Sequence, residues 1–146
     1  MIAVVQRVIE AKVVVAGEVV GQIGPGMLVL AAVEKDDTDV QVLWTAHKLA
    51  GLRIFRSGDK HFESDLAQAG GAMLLVSNFT VAAQTAKGRR PSLDGAAPPE
   101  KAEAMFGQLV EAVRAQGIHV QTGRFGASME VSLVNDGPAT FIVRTE

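Results

Sequence analysis

The sequence predicts an α+β domain in which a curved, barrel-like and mostly antiparallel β-sheet is covered by two main helices. Three patterns carry this expectation: a valine-rich opening punctuated by glycine, two segments whose apolar residues recur at helical spacing, and a two-residue apolar alternation near the C-terminus.

Residues 2–33 read as a meander of short strands joined by tight turns. Gly17-Glu18 separates the strand-like stretches 12–16 and 19–23, and Gly24-Pro25-Gly26 precedes the apolar run 27–33. Asp36 or Asp37 is suited to cap a helix carrying Val40, Leu43, Trp44, His47 and Ala50, with Gly51 ending it. On that stripe His47 is a core or boundary residue rather than a catalytic one. Residues 52–56 and 72–79 are two further strands, separated by the polar Ser57-Gly58-Asp59-Lys60 and by Gly70-Gly71. The second is apolar as far as Ser77, as a strand deep in a sheet would be.

Residues 82–99 form the one long irregular segment, rich in glycine, proline and basic side chains, and connections of that length are commonly functional. Pro98-Pro99 opens a second helix whose Met105, Phe106, Leu109, Val110 and Val113 make one stripe, closed by Gly117. Met129, Val131 and Leu133 then alternate with Ser128, Glu130 and Ser132. A turn is expected at Asn135-Asp136-Gly137-Pro138, before a last strand through Phe141 and Val143.

The chain of 146 residues is long enough for one domain, expected to span 1–146 and to bury roughly two-thirds of the surface its unfolded chain exposes. Hydrophobic residues at 48% and charged residues at 21% exclude a disordered chain or a charged coiled coil. Cysteine is absent, which removes thiolate catalysis, disulfides and cysteine-ligated metals and suits a reducing compartment. His47, His61 and His119 have no ligand-like spacing, so neither a metal nor a cofactor is expected. The apolar opening breaks at Gln6 and Arg7, unlike a secretory signal, and charge or glycine interrupts every apolar run before it reaches spanning length. A cytoplasmic protein without membrane contact is expected. The formal net charge of -2 argues against a generally basic nucleic-acid binder but allows a local basic patch.

Three segments exceed what folding alone explains. Ser77-Asn78-Phe79-Thr80 ends the buried strand, where hydroxyls and adjacent backbone N–H groups could hold an oxyanion, or where the hydroxyls could simply satisfy the turn. No histidine, lysine or carboxylate lies beside it in sequence to act as a base. Lys87, Arg89 and Arg90 place three cations within four residues, suited either to a phosphate backbone or to solvent. Asn135-Asp136-Gly137-Pro138 would ordinarily be a hairpin turn, with about a 5–6% base rate of a cis Gly-Pro bond.

In order and wording these segments resemble the D-aminoacyl-tRNA deacylase family. VVQRV at 4–8, GQIGPGMLVL at 21–30, LRIF at 52–55, SNFTVAA at 77–83, KGRRPS at 87–92, GAAPPE at 95–100 and TGRFGASMEVSLVNDGPAT at 122–140 all match it, so the resemblance covers nearly the whole chain. The S-x-F-T and N-x-G-P-x-T motifs are the most specific to it. Two departures stand out: Asn78 and Val81 where the family usually has Gln and Leu, and His61-Phe62-Glu63-Ser64 where it usually has Met-Asn-x-Ser.

The resemblance implies a homodimeric hydrolase that cleaves the ester between a D-amino acid and the terminal adenosine of tRNA. Thr80 and Phe79 would be its catalytic residues, while Ser77, Asn78, Met129, Gly137 and Pro138 bind substrate and Lys87, Arg89 and Arg90 bind tRNA. A Gly137-Pro138 unit with a cis peptide would be supplied across the dimer interface. Such an enzyme would reject L-substrates by excluding their Cβ and would accept glycyl-tRNA. An aminoacyl ester is already activated, so orientation and oxyanion stabilisation suffice without a strong nucleophile. The alternatives are a non-catalytic domain that binds a tRNA end, and an esterase for small aminoacyl esters with Thr80 as nucleophile.

Overall fold

The computed structural model describes residues 1–146. Its organising element is β1 (Ile2–Val15), a 14-residue strand of β-branched residues that pairs along both edges. On one edge it takes β3 (Gly26–Ala32) over Ile2 to Val8 and β2 (Glu18–Ile23) over Ala11 to Val15, and on the other it takes β8 (Glu130–Arg144), all antiparallel. The sheet continues from β3 to β6 (Ala72–Ser77) and β7 (Val120–Thr122) through parallel pairings. These two pairs are parallel because helical connections intervene, so the sheet is mostly but not wholly antiparallel.

The curved sheet nearly closes on itself where β2 meets β7. Gly21 of β2 lies so close to the Thr122 carbonyl that a Cβ would collide with it, which leaves glycine as the residue that fits that seam.

Alternation along the strands separates two cores. Ala3 and Val5, Met27 and Val29, and Met73 and Leu75 face outward against the helices, in the larger cluster. Val8, Leu28, Leu74 and Val76 face inward with Ala11 and Val13. The parity of β1 changes between Val8 and Ala11 because its register with β8 shifts between Val8 and Glu10.

Two main helices cover the outer face. α3 (Pro99–Arg114) starts behind Pro98 and buries Met105, Phe106, Leu109, Val110 and Val113, the stripe expected from its spacing. α1 (Asp39–Gly51) departs from expectation. Its cap is Thr38, in a reciprocal capping box with Gln41, and neither Asp36 nor Asp37. It buries Val42, Thr45, Ala46 and Leu49, while Val40 and Trp44 are 70% and 42% exposed, and His47 meets Gln116 on the surface. Two apolar stripes coexist on this helix, and the one with the smaller residues packs inward, where helices approach closely. Asp37 is buried instead as an acceptor for the Met1 ammonium at 2.7 Å and for the Glu34 N–H.

Between the helices, residues 52–56 do not form a strand of the main sheet. β4 (Phe55–Ser57) pairs with β5 (Lys60–Ser64) in a separate hairpin, followed by the short α2 (Leu66–Ala69). No helix is long and apolar enough to cross a membrane.

Candidate active site

β6 delivers the first part of the site. Met73 to Val76 are buried, and the strand emerges at Ser77, two residues earlier than the sequence suggested. The Asn78 N–H donates to the Ala31 carbonyl at 2.9 Å, after which the chain turns into a 3-10 turn, Phe79–Ala82. Buried Ala82 packs with Ile2 and Ala32 and anchors that turn to the sheet. The side chain of Asn78 does not cap the turn; its Oδ1 accepts from Thr80 Oγ1 at 2.5 Å. The leading N–H groups of such a turn, those of Phe79 and Thr80, have no partner within it.

Ser77, Asn78 and Phe79 border a cavity of about 790 Å³. Its floor is the inner sheet face at Leu28, Leu30 and Val76. One wall is Met129, Val131 and Leu133, the alternating residues of the C-terminal segment, and another is the loop around Leu93 to Ala97 with the first turn of α3. Phe79, 55% exposed, and Leu93 stand at the mouth. The polar side chains on the lining are Gln6, Ser77 and Asn78, and no carboxylate, imidazole, ammonium or guanidinium lines it. Thr80 lies outside the lining, exposed, with its hydroxyl engaged by Asn78.

Lys87, Arg89 and Arg90 are exposed at the tip of the loop between Phe79 and Leu93. Reciprocal 2.8 Å hydrogen bonds between Gln84 and Ser92 close that loop at its base. None of the three cations is ion-paired within the chain. A loop rooted in two cavity residues therefore carries free positive charge.

Gly137 and Pro138 are not brought into this cavity, and the expected hairpin turn is absent. β8 runs through the segment as a bulge: Val8 of β1 pairs with Asn135 and Gln6 with Thr140, so a two-residue step on one strand faces five on the other. Turn residues signalled local irregularity correctly, but the continuous β1 edge on both sides keeps the strand going. The Gly137-Pro138 peptide is cis, and both residues are exposed.

Sequence reasoning missed the residue that fixes this bulge. Arg7 is 4% exposed; its Nε donates to the Asp136 carbonyl at 3.1 Å and its Nη1 to the Ile54 carbonyl at 2.8 Å. The Asp136 carboxylate, 3.4 Å from Nε, supplies the countercharge. The signal was present in the polar pair Gln6-Arg7 that interrupts the first apolar run: as strand neighbours they point to opposite faces, Gln6 to the cavity and Arg7 to the bulge.

The model of a family described as D-Tyr-tRNA(Tyr) deacylase matches residues 4–144. A D-aminoacyl-tRNA deacylase of Pelobacter propionicus is 53% identical over 143 residues, covering 98% of this chain and 99% of that one. One of Symbiobacterium thermophilum is 50% identical over 144 residues, covering 99% and 95%. Among solved structures, the c-Myc DNA unwinding element binding protein superposes with a TM-score of 0.94 at 34% identity, over 100% of this chain and 99% of that one. A probable eukaryotic D-amino acid tRNA deacylase superposes at 0.86 over 97% of each chain and, at 17% identity, shares the fold. With the Ser77–Phe79 segment bordering the cavity, and with the family model and relatives matching from end to end, the chain belongs to the D-aminoacyl-tRNA deacylases, enzymes that hydrolytically remove D-amino acids from tRNA.

Proposed function

We propose that hydrolysis takes place at the end of β6, with the terminal adenosine and its ester held in the cavity and the Phe79 and Thr80 N–H groups facing the developing oxyanion. The observation that carries this reading is a mainly apolar cavity whose lining holds no ionisable side chain and whose rim is the start of a 3-10 turn. A site of that kind excludes bulk water, orients an already activated ester and stabilises negative charge with fixed dipoles. Ser77 and Asn78 position the substrate, Met129 packs against it, and the Asn78–Thr80 hydrogen bond holds the turn in shape. Thr80 then serves as a positioning group and not as a nucleophile, which disfavours the small-molecule esterase.

Two copies of the chain form the working unit in this reading, each lending Gly137-Pro138 to the other's cavity. The segment is exposed and does not line its own chain's cavity, and the outer edge of β8 is unpaired with Ile142 72% exposed, features suited to a symmetric contact. The backbone of that segment would occupy the direction of an L-residue's Cβ while leaving that of a D-residue open, and glycine has no Cβ to exclude. Lys87, Arg89 and Arg90 would hold the phosphates of the acceptor end.

One preparation assayed on matched D-, L- and glycyl-tRNA tests this. Fast D- and glycyl-cleavage with L-substrate left intact is expected. Slow glycyl-cleavage beside fast D-cleavage at saturating enzyme would overturn exclusion as the filter. Tight tRNA binding with no turnover of any ester would leave only the non-catalytic binder.

A further inference from the structure

We infer that the β4–β5 hairpin, which contributes nothing to the cavity, is the brace that holds Gly137-Pro138 in place, and that Phe62 is its principal positioning residue. The inference rests on the reading that Gly137-Pro138 completes the site.

Phe62 is a large aromatic at 57% exposure in a hairpin whose other tip residues are polar, so burial does not explain it. Arg53 fixes the strand that carries it, its Nε donating to the Glu63 carbonyl at 2.7 Å and its Nη2 reaching the Glu63 carboxylate at 3.2 Å. With Glu63 turned toward Arg53, strand alternation turns Phe62 to the opposite side, toward β8. There its ring lies 6.0 Å from the Arg7 guanidinium carbon, and 6.0 Å from the Phe141 centroid in an edge-on arrangement at 87°. These two partners flank the bulge: Arg7 holds its start through Asp136, and Phe141 sits just beyond its end.

Two further contacts tie the hairpin to the same segment. Arg7 bonds the Ile54 carbonyl at the root of the hairpin and the Asp136 carbonyl in the bulge, so one buried guanidinium bridges both. Arg56 on β4 approaches the Asp136 carboxylate at 3.8 Å. That pair is exposed and contributes little, which leaves the Phe62 ring as the larger lever.

The test compares Phe62→Ala and Phe62→Tyr with wild type for kcat and KM on D-aminoacyl-tRNA, with Gly137→Ala as the control and thermal midpoints measured throughout. Phe62→Ala is expected to lower kcat about tenfold or more with KM little changed, because displacing a positioning group costs orientation rather than tRNA affinity. Phe62→Tyr, which keeps the ring, is expected to restore most of that loss. Wild-type kinetics in Phe62→Ala beside an inactive Gly137→Ala would overturn the brace and leave the proposed site intact. Wild-type kinetics in both would overturn the proposed site and the brace with it. A loss that Phe62→Tyr does not rescue, and that follows the fall in thermal midpoint, would make the ring merely structural and overturn the inference.

Discussion

Gly137 is glycine for two separate reasons. Its φ of +127° lies where side chains are strained, and a Cβ there would sit 2.9 Å from Arg7 Nη2. Gly137→Ala should therefore displace both the bulge and its anchor, and kcat/KM on D-substrate should fall by about a hundredfold or more without any gain on L-substrate. Arg7→Ala removes the donors to Ile54 and Asp136 and leaves the Asp136 carboxylate with only the exposed Arg56 guanidinium, 3.8 Å away. Since Asp136 is partly exposed, a loss of about 2–3 kcal/mol in urea-measured stability is expected. At Thr80, rapid quench should trap no covalent aminoacyl ester. Thr80→Ser, which keeps the hydroxyl, should stay active, while Thr80→Val should lose activity by freeing Asn78. Of these residues Gly137 and Thr80 stood out in the sequence, because their neighbours form motifs. Arg7 did not, since one basic residue in a strand reveals neither its burial nor its partner 129 positions away.

Among the elements, α3 was legible in full, while α1 was legible as a helix ending at Gly51 but not in its cap or its buried face, and the comparison shows why. The apolar residues of α3 fall on one stripe only, so the helix has one way to pack. Those of α1 fall on two, and the choice is made by α3 and the sheet, which the local pattern does not contain. The bulge of β8 was misread for a similar reason: its turn-forming residues are local, whereas the strand partner that overrides them lies at the other end of the chain. The loop closed by Gln84 and Ser92 was legible as an irregular segment through its length and its glycine, proline and basic residues. Replacing Lys87, Arg89 and Arg90 together by alanine should flatten the slope of log affinity against log salt by roughly 2–3, at about 0.7–0.9 for each phosphate no longer neutralised. An unchanged slope would place the tRNA elsewhere.

For the molecule as a whole, the sheet, its curvature and its helical cover followed from periodicity. The cavity did not, because it arises where the inner sheet face, the 93–97 loop and the start of α3 come together from distant parts of the chain. Its apolar lining had been visible only as Met129, Val131 and Leu133 alternating with polar neighbours. The proposed two-copy assembly should sediment as a dimer at assay concentrations. Charge placed on the unpaired edge by Ile142→Lys should then lower both the dimer fraction and the activity together.

Gln6 and Arg7 are joined by a single peptide bond, yet the first lines the chain's own cavity and the second anchors the segment that the proposed dimer would offer to its partner. In a dimer of that design one strand serves two catalytic centres, so defects on the two sides can complement. A chain carrying Asn78→Ala and another carrying Gly137→Ala should each be inactive alone. Unfolded together and refolded at equal amounts, they should recover about a quarter of wild-type activity, because random pairing makes half the dimers mixed and each mixed dimer regains one sound centre of its two.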